Sequence, residues 1–137
     1  MDIEIKTIQG KKDTRGTIFE FLTAKDLKKE YFGHLFVATF DSTDAIRGNH
    51  YHKTQHEFYL VVSGKVKVIL VDIHSKKRRS IIMSSRNPAR LRIGPHIAHA
   101  AYSLTPSAVL LSYFKLPYNA AKPDATYYEV LSKTPTI

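Results

Sequence analysis

Phe58-Tyr59-Leu60-Val61-Val62-Ser63-Gly64-Lys65-Val66-Lys67-Val68-Ile69-Leu70-Val71 is the stretch that decides the fold class. Phe58, Leu60 and Val62 alternate with Tyr59, Val61 and Ser63, and beyond Gly64 the run opens with a clean exchange of polar and apolar residues. Side chains on a strand point to opposite faces with a period of two, so this reads as two strands joined at a glycine. Outward from it, strand-like runs recur at residues 16–21, 34–40, 80–84, 89–93, 99–104 and 108–115, separated by Gly, Pro, Asn, Asp and Ser. Short strands spaced by roughly 8 to 12 residues point to a sandwich or barrel, not to alternating β and α units. Only residues 23–31 read as helical, a turn or two with Thr23 as cap. The tail, residues 116–137, carries Pro117, Pro123 and Pro135. It is expected to be irregular and to pack over the barrel or a neighbouring subunit.

At 137 residues, with no internal repeat or low-complexity segment, residues 1–137 read as one domain. A chain of that size buries about two-thirds of its extended surface. The 43% hydrophobic content, with eight Tyr and seven Phe, is far from a disordered composition. There is no cysteine, which excludes disulfides and thiolate metal sites and leaves His, Asp or Glu to hold any metal. Residues 1–13 lack an apolar signal core, and no run approaches the roughly 20 apolar residues that span a bilayer. The expectation is a soluble, cytoplasmic protein without a membrane partner. Lys and Arg number 21 against 12 Asp and Glu, a net charge of +9 that favours a phosphate-bearing partner. The densest basic run, Lys76-Lys77-Arg78-Arg79, lies between two apolar segments and reads as a solvated hairpin tip. No aromatic interleaving accompanies it, so nucleic acid is not the expected partner.

Chemistry concentrates in Arg47-Gly48-Asn49-His50-Tyr51-His52-Lys53-Thr54-Gln55-His56-Glu57. On a strand, His50 and His52 project side by side, and Glu57 opens the next strand, where it can turn back to the same face. A second segment, Ile93-Gly94-Pro95-His96-Ile97-Ala98-His99, can bring a third imidazole. Three imidazoles and a carboxylate suit zinc, iron, manganese, nickel or copper alike. His34, His56, His74 and His96 read as surface or core histidines with no such role.

Gly48-x-His50-x-His52-x4-Glu57-x6-Gly64 resembles the first cupin motif, and residues 95–99 resemble a degenerate second one. The implied fold is an all-β double-stranded β-helix, the jelly-roll barrel of cupins. Asp13-Thr14-Arg15-Gly16-Thr17-Ile18-Phe19-Glu20, Ile46-Arg47-Gly48-Asn49-His50-Tyr51 and residues 97–104 are similar, in the same order, to segments of dTDP-4-keto-6-deoxyglucose 3,5-epimerases. Arg47-Gly48-x-His50-x-His52-Lys53 resembles the sugar 3,4-ketoisomerases, which work without metal and usually carry Gln where this chain has Glu57. Gly48-Asn49-His50-Tyr51-His52 with Glu57, and Lys122-Pro123-Asp124-Ala125-Thr126, resemble the carboxy-terminal zinc cupin of capsular polysaccharide epimerase-reductases. That likeness implies one divalent metal, zinc, on His50, His52, Glu57 and His99; the ketoisomerase likeness implies none. Ser112 stands near the tyrosine acid of the 3,5-epimerases, Tyr113 is one residue out of register, and the aspartate that supports their base histidine has no evident counterpart.

The resemblance implies a nucleotide-sugar epimerase or ketoisomerase, an isomerase of surface polysaccharide or deoxysugar biosynthesis. A 4-keto sugar has acidic protons beside its carbonyl, so the reaction needs a base on carbon and a stabiliser for the developing enolate. The expected catalytic residues are His50, His52 and Tyr118, and the expected substrate contacts are Arg15, Arg47 and Lys53. A histidine bound to metal cannot also take the proton. The alternative is a non-catalytic metal- or sugar-binding cupin. Relatives of these families pair through amino-terminal strands, which implies a homodimer.

Overall fold

The computed structural model describes residues 1–14, 16–23, 25–26 and 33–135. Along them run β1 (Ile3–Thr7), β2 (Gly10–Asp13), β3 (Gly16–Phe19), β4 (His34–Phe40), β5 (Ile46–Tyr51), β6 (Glu57–Ser63), β7 (Lys65–Asp72), β8 (Arg78–Ser84), β9 (Ala89–Ile93), β10 (Ile97–Ser103), β11 (Ala108–Phe114) and β12 (Thr126–Tyr127). Two five-stranded sheets form, in the orders β1-β9-β6-β11-β4 and β12-β5-β10-β7-β8, while β2 and β3 pair by themselves. Every pairing is antiparallel. This is the all-β jelly roll expected from the sequence.

The two alternating runs around Gly64 become β6 and β7, yet they do not pair with each other. One residue carries the chain from the first sheet to the second. Gly64 adopts φ +77°, and a Cβ there would lie 2.5 Å from the Ser107 carbonyl oxygen and 2.6 Å from Thr105 Oγ1. Only glycine fits both the backbone conformation and the space.

Alternation then decides which side chains meet between the sheets. On β10, Ile97 and Ala101 join a core with Phe40, Val61, Leu70 and Leu110. The intervening Ala98 and Ala100 face the other way and pack with Ile69, Val71 and Val130. Burying each large aliphatic or aromatic side chain contributes roughly 1.5–3 kcal/mol, so the inner faces hold the sandwich together.

The tail does pack over the barrel, on the outer face of the second sheet. Asn49 fastens it there: its side-chain oxygen accepts from the Val130 and Leu131 amides, each at 3.0 Å, and its side-chain nitrogen donates to the Leu131 carbonyl at 2.9 Å. The tail is irregular except for β12, which pairs with β5. The basic run starts in the turn after β7, and Arg78 and Arg79 open β8. The helical reading of residues 23–31 falls mostly outside the described residues; its described start is a turn in which the Asp26 amide donates to the Thr23 carbonyl at 3.0 Å. No helix among the described residues is long and apolar enough to cross a membrane.

Candidate functional site

His50 reaches the interior through an irregularity the sequence reading did not include. Between β5 and β10 the register steps from His50↔His99 to Gly48↔Ala100, which leaves Asn49 as an extra residue. Gly48 (φ +95°) and Asn49 (φ +55°) both adopt the left-handed conformation that a bulge of this kind needs. A Cβ on Gly48 would lie 2.6 Å from the His99 carbonyl oxygen. The strand ends at Tyr51, so His52 lies one residue beyond it. The two rings are nonetheless neighbours, with centroids 4.9 Å apart, and the His99 ring lies 4.8 Å from His50 and 5.5 Å from His52. Glu57 enters from β6 in the facing sheet. One ligand atom from each of the four residues lies within 4.8 Å of every other.

Hydrogen bonds set which ring nitrogens face the centre. His99 Nδ1–H donates to the Ile97 carbonyl at 3.0 Å, and His52 Nδ1–H donates to the Asp124 carbonyl. Both rings therefore present Nε2 inward, the arrangement by which a backbone carbonyl fixes the tautomer of a ligating histidine. Those Nε2 atoms lie 3.3 Å (His52) and 3.1 Å (His99) from Glu57 Oε2. A tetrahedral site with arms of roughly 2.0–2.1 Å has edges of about 3.3 Å, so both spacings suit a shared ion. His99 Nε2 is sealed from solvent and has no hydrogen-bond partner among the described residues; its 3.1 Å approach to Glu57 Oε2 is an ion-pair contact. A buried ring nitrogen facing a carboxylate is unfavourable unless a proton or a metal ion lies between them.

The charges are set by this packing. Burial alone would raise the Glu57 carboxyl pKa, but His99 and His52 beside it outweigh burial and hold it well below the usual range. Ser112 Oγ donates to Glu57 Oε1 at 2.8 Å, and burial, then the Glu57 charge beside it, raises the pKa of the buried Tyr59 hydroxyl. Burial, then the neighbouring His99 and His52, pushes His50 down to about 4, so it is neutral at neutral pH. Burial pulls His52 down too, but its bond to Glu57 and the Glu57 charge outweigh that and raise it.

A cavity of about 490 Å³ opens above His50, His52 and Glu57, within the size range of small-ligand sites. Of the other candidates from sequence, Arg47 lies on the cavity wall, where its Nε donates to the Thr39 carbonyl at 2.9 Å and its guanidinium lies over Phe40. Tyr118 lies on the rim, largely exposed. Lys53 is exposed on the loop after β5 and is not one of the lining residues. Arg15 lies outside the described residues.

Sequence reasoning passed over four residues that the fold brings here. Ser112 bonds Glu57 and Tyr59 is buried close to its charge, and Ser112 reaches it because the β11 register turns Tyr113 away, onto the Gly33 amide at 3.3 Å. Asp124 comes from the tail and stands beside His52, although no supporting aspartate was evident from sequence. His34, read as a surface or core histidine, lines the cavity between Phe36 and Phe114, and its Nδ1 is buried with no hydrogen-bond partner among the described residues. The Lys122–Thr126 segment pointed to Asp124; the other three carried no local motif.

Several known proteins resemble this chain in sequence or in fold. The spore coat polysaccharide biosynthesis protein SpsL of Bacillus subtilis is 25% identical over 130 residues, covering 89% of this chain and 84% of SpsL. The sugar 3,4-ketoisomerase QdtA of Thermoanaerobacterium thermosaccharolyticum, solved with TDP, superposes with a TM-score of 0.78 at 20% identity over 93% of this chain and 89% of QdtA. A 3,4-ketoisomerase from Helicobacter canadensis gives 0.78 at 24% identity, over 92% and 90% of the two chains. The 3'-monoepimerase ChmJ of Streptomyces bikiniensis, solved with dTDP-quinovose, gives 0.80 at 20% identity, over 91% of this chain and 68% of ChmJ. The family described as the polysaccharide biosynthesis C-terminal domain matches residues 11–127, and this chain belongs to it.

Proposed function

We propose that this chain is a metal-dependent isomerase, an epimerase or ketoisomerase, acting on a nucleotide-linked 4-keto-6-deoxy sugar in polysaccharide biosynthesis. The observation that carries the reading is the convergence of four ligand atoms within 4.8 Å at the floor of an open cavity. His50, His52, Glu57 and His99 hold one divalent ion, and zinc is the first to test because it takes both imidazole and carboxylate ligands. Bound there, the ion would polarise the sugar's keto oxygen as a Lewis acid. With the three imidazoles engaged, the proton beside the carbonyl passes to another group facing the cavity, with Tyr118 on the rim in position to take part. Arg47 and Lys122 place positive charge on the cavity wall for a diphosphate. The substrate class is supported by SpsL's name and by the TDP and TDP-sugar complexes of QdtA and ChmJ.

One observation favours a second, metal-free reading. His50, held neutral and lining the cavity beside the 3.3 Å ion pair of His52 with Glu57, can itself take the proton as a base. Protein purified without a nickel column and incubated with dTDP-4-keto-6-deoxyglucose in D2O separates the two. Deuterium entering the sugar, lost on chelation and restored by zinc, is the expected result. Exchange indifferent to chelation supports the metal-free reading, and a thermal shift without mass gain leaves a binding module.

We also infer a homodimer. The β2–β3 hairpin belongs to neither sheet and exposes Ile18 and Phe19, while β4 is a free sheet edge exposing Leu35 and Val37. Two-stranded hairpins are marginal alone, and apolar edges invite pairing. Light scattering is expected to return twice the 15.6 kDa chain mass.

A further inference from the structure

Asp124 is attached to the candidate site through two different groups. Its carbonyl accepts the His52 Nδ1–H. Its carboxylate accepts three successive amides of the loop between His52 and Glu57: Lys53 at 2.8 Å, Thr54 at 2.9 Å and Gln55 at 3.0 Å. The Thr54 hydroxyl adds a fourth bond at 2.8 Å. Burial would raise this carboxyl, but those donors outweigh it and hold Asp124 at about 2.

The loop it organises is short, and both of its ends carry site residues. His52 precedes it and Glu57 follows His56. A second clamp lies eight residues earlier in the tail, where the Gln55 side chain donates to the Leu116 carbonyl at 2.8 Å and accepts the Leu116 amide at 3.0 Å. Residues 116–124 thus form a strap fixed to the loop at each end, and Leu116, Pro117, Tyr118, Asn119 and Lys122 from it line the cavity.

We propose that Asp124 is a positioning residue. By holding the His52 ring in one tautomer and the 53–55 loop in one conformation, it sets the spacing of His52 and Glu57, and it makes the tail strap a working part of the centre. Its metal consequence rests on the reading under Proposed function; its effect on the His52 ring does not. A carboxylate that accepts four charge-assisted hydrogen bonds is a stronger constraint on a loop than any neutral side chain of similar size.

Three variants test this: Asp124→Ala, Asp124→Asn and, as a control, Val130→Ala, which loosens the tail where it packs on the second sheet, away from the strap. Two readouts are needed, zinc affinity by competition titration and the ring ¹⁵N shifts of His52 in metal-free protein. Asp124→Ala is expected to weaken zinc binding by roughly 10- to 100-fold, with Asp124→Asn between it and wild type, as for other residues that orient metal ligands. In ring spectra recorded at a pH above the raised His52 pKa, where the ring is neutral, wild type is expected to show one Nδ1–H tautomer and Asp124→Ala a mixture. Val130→Ala is expected to lower thermal stability while changing neither readout. Wild-type affinity in Asp124→Ala, or an equal loss in Val130→Ala, overturns the role at the metal. If wild type takes up no zinc, the metal reading alone fails, and the His52 tautomer decides: an unchanged ring in Asp124→Ala overturns the proposal.

Discussion

The same three strands build two unlike interiors. Along β6, β10 and β11 the inward positions include Val61, Ala101 and Leu110, which are buried and apolar and pack with Phe40 of β4. Farther along the same faces come Glu57, His99 and Ser112, equally buried but polar. Backbone geometry and solvent exclusion are nearly identical in the two regions; only side-chain chemistry differs. The apolar region is satisfied by contact with itself. The polar region satisfies most of its atoms by hydrogen bonds and, among the described residues, leaves His99 Nε2 without one. The first supplies stability, and the second spends some of it to hold charges together in a dry place.

Substitutions can pull these roles apart. Phe40 is fully buried, and Phe40→Ala should destabilise the chain by about 3–5 kcal/mol in urea titrations while leaving zinc affinity unchanged in the folded fraction. Equal loss of zinc affinity would mean that the two regions are one. Glu57→Ala should do the reverse, weakening zinc binding by about 100-fold or more, because it removes the only carboxylate among the four candidate ligands. Isothermal titration reads this directly.

Acid should expose the difference next. His50 is held at about 4 in the fold, against 6.5 ordinarily. Between those values the unfolded chain binds a proton that the folded chain refuses, so metal-free stability falls as pH drops from 6.5 to 4. His52, raised above 6.5, is charged in both states across that window and adds no slope there; its own contribution is lost as pH rises through its folded pKa. Glu57, held low, contributes fully above the ordinary carboxylate range and loses that contribution progressively as pH falls from about 4.5 toward its folded pKa, so it adds slope only at the acid edge of the window. Denaturation measured across pH should therefore show the slope in wild type and Phe40→Ala alike, and a flatter line in His50→Gln. The smallest effect belongs to Ser112→Ala, about 1 kcal/mol, since His52 still bonds Glu57 after the hydroxyl is gone.

The contrast also explains what could be read from sequence. β4 and β6 to β11 were legible to within a few residues, because alternation over five to eight positions records a half-buried face. β1 and β2 are nearly all exposed and β12 has two residues, so none carries a burial pattern. His50, His52 and Glu57 were legible by spacing, and His99 by its place after Gly94-Pro95. Ser112, Tyr59 and His34 were not, since each is one residue on a strand whose facing partner is set by register across the barrel. Asp124 was visible only as part of a motif. Its bond to His52 spans 72 positions, which no local pattern encodes.

The corner at Gly64 has a consequence for how the chain is made. β6 pairs with β9 and β11, and β7 with β8 and β10, all of them synthesised later. A nascent chain leaving the ribosome therefore displays two adjacent apolar strands before any partner exists, and non-local pairing of this kind is slow. The stage at which Asp72 has cleared the ribosome and β8 has not should be the one at which a chaperone is needed most.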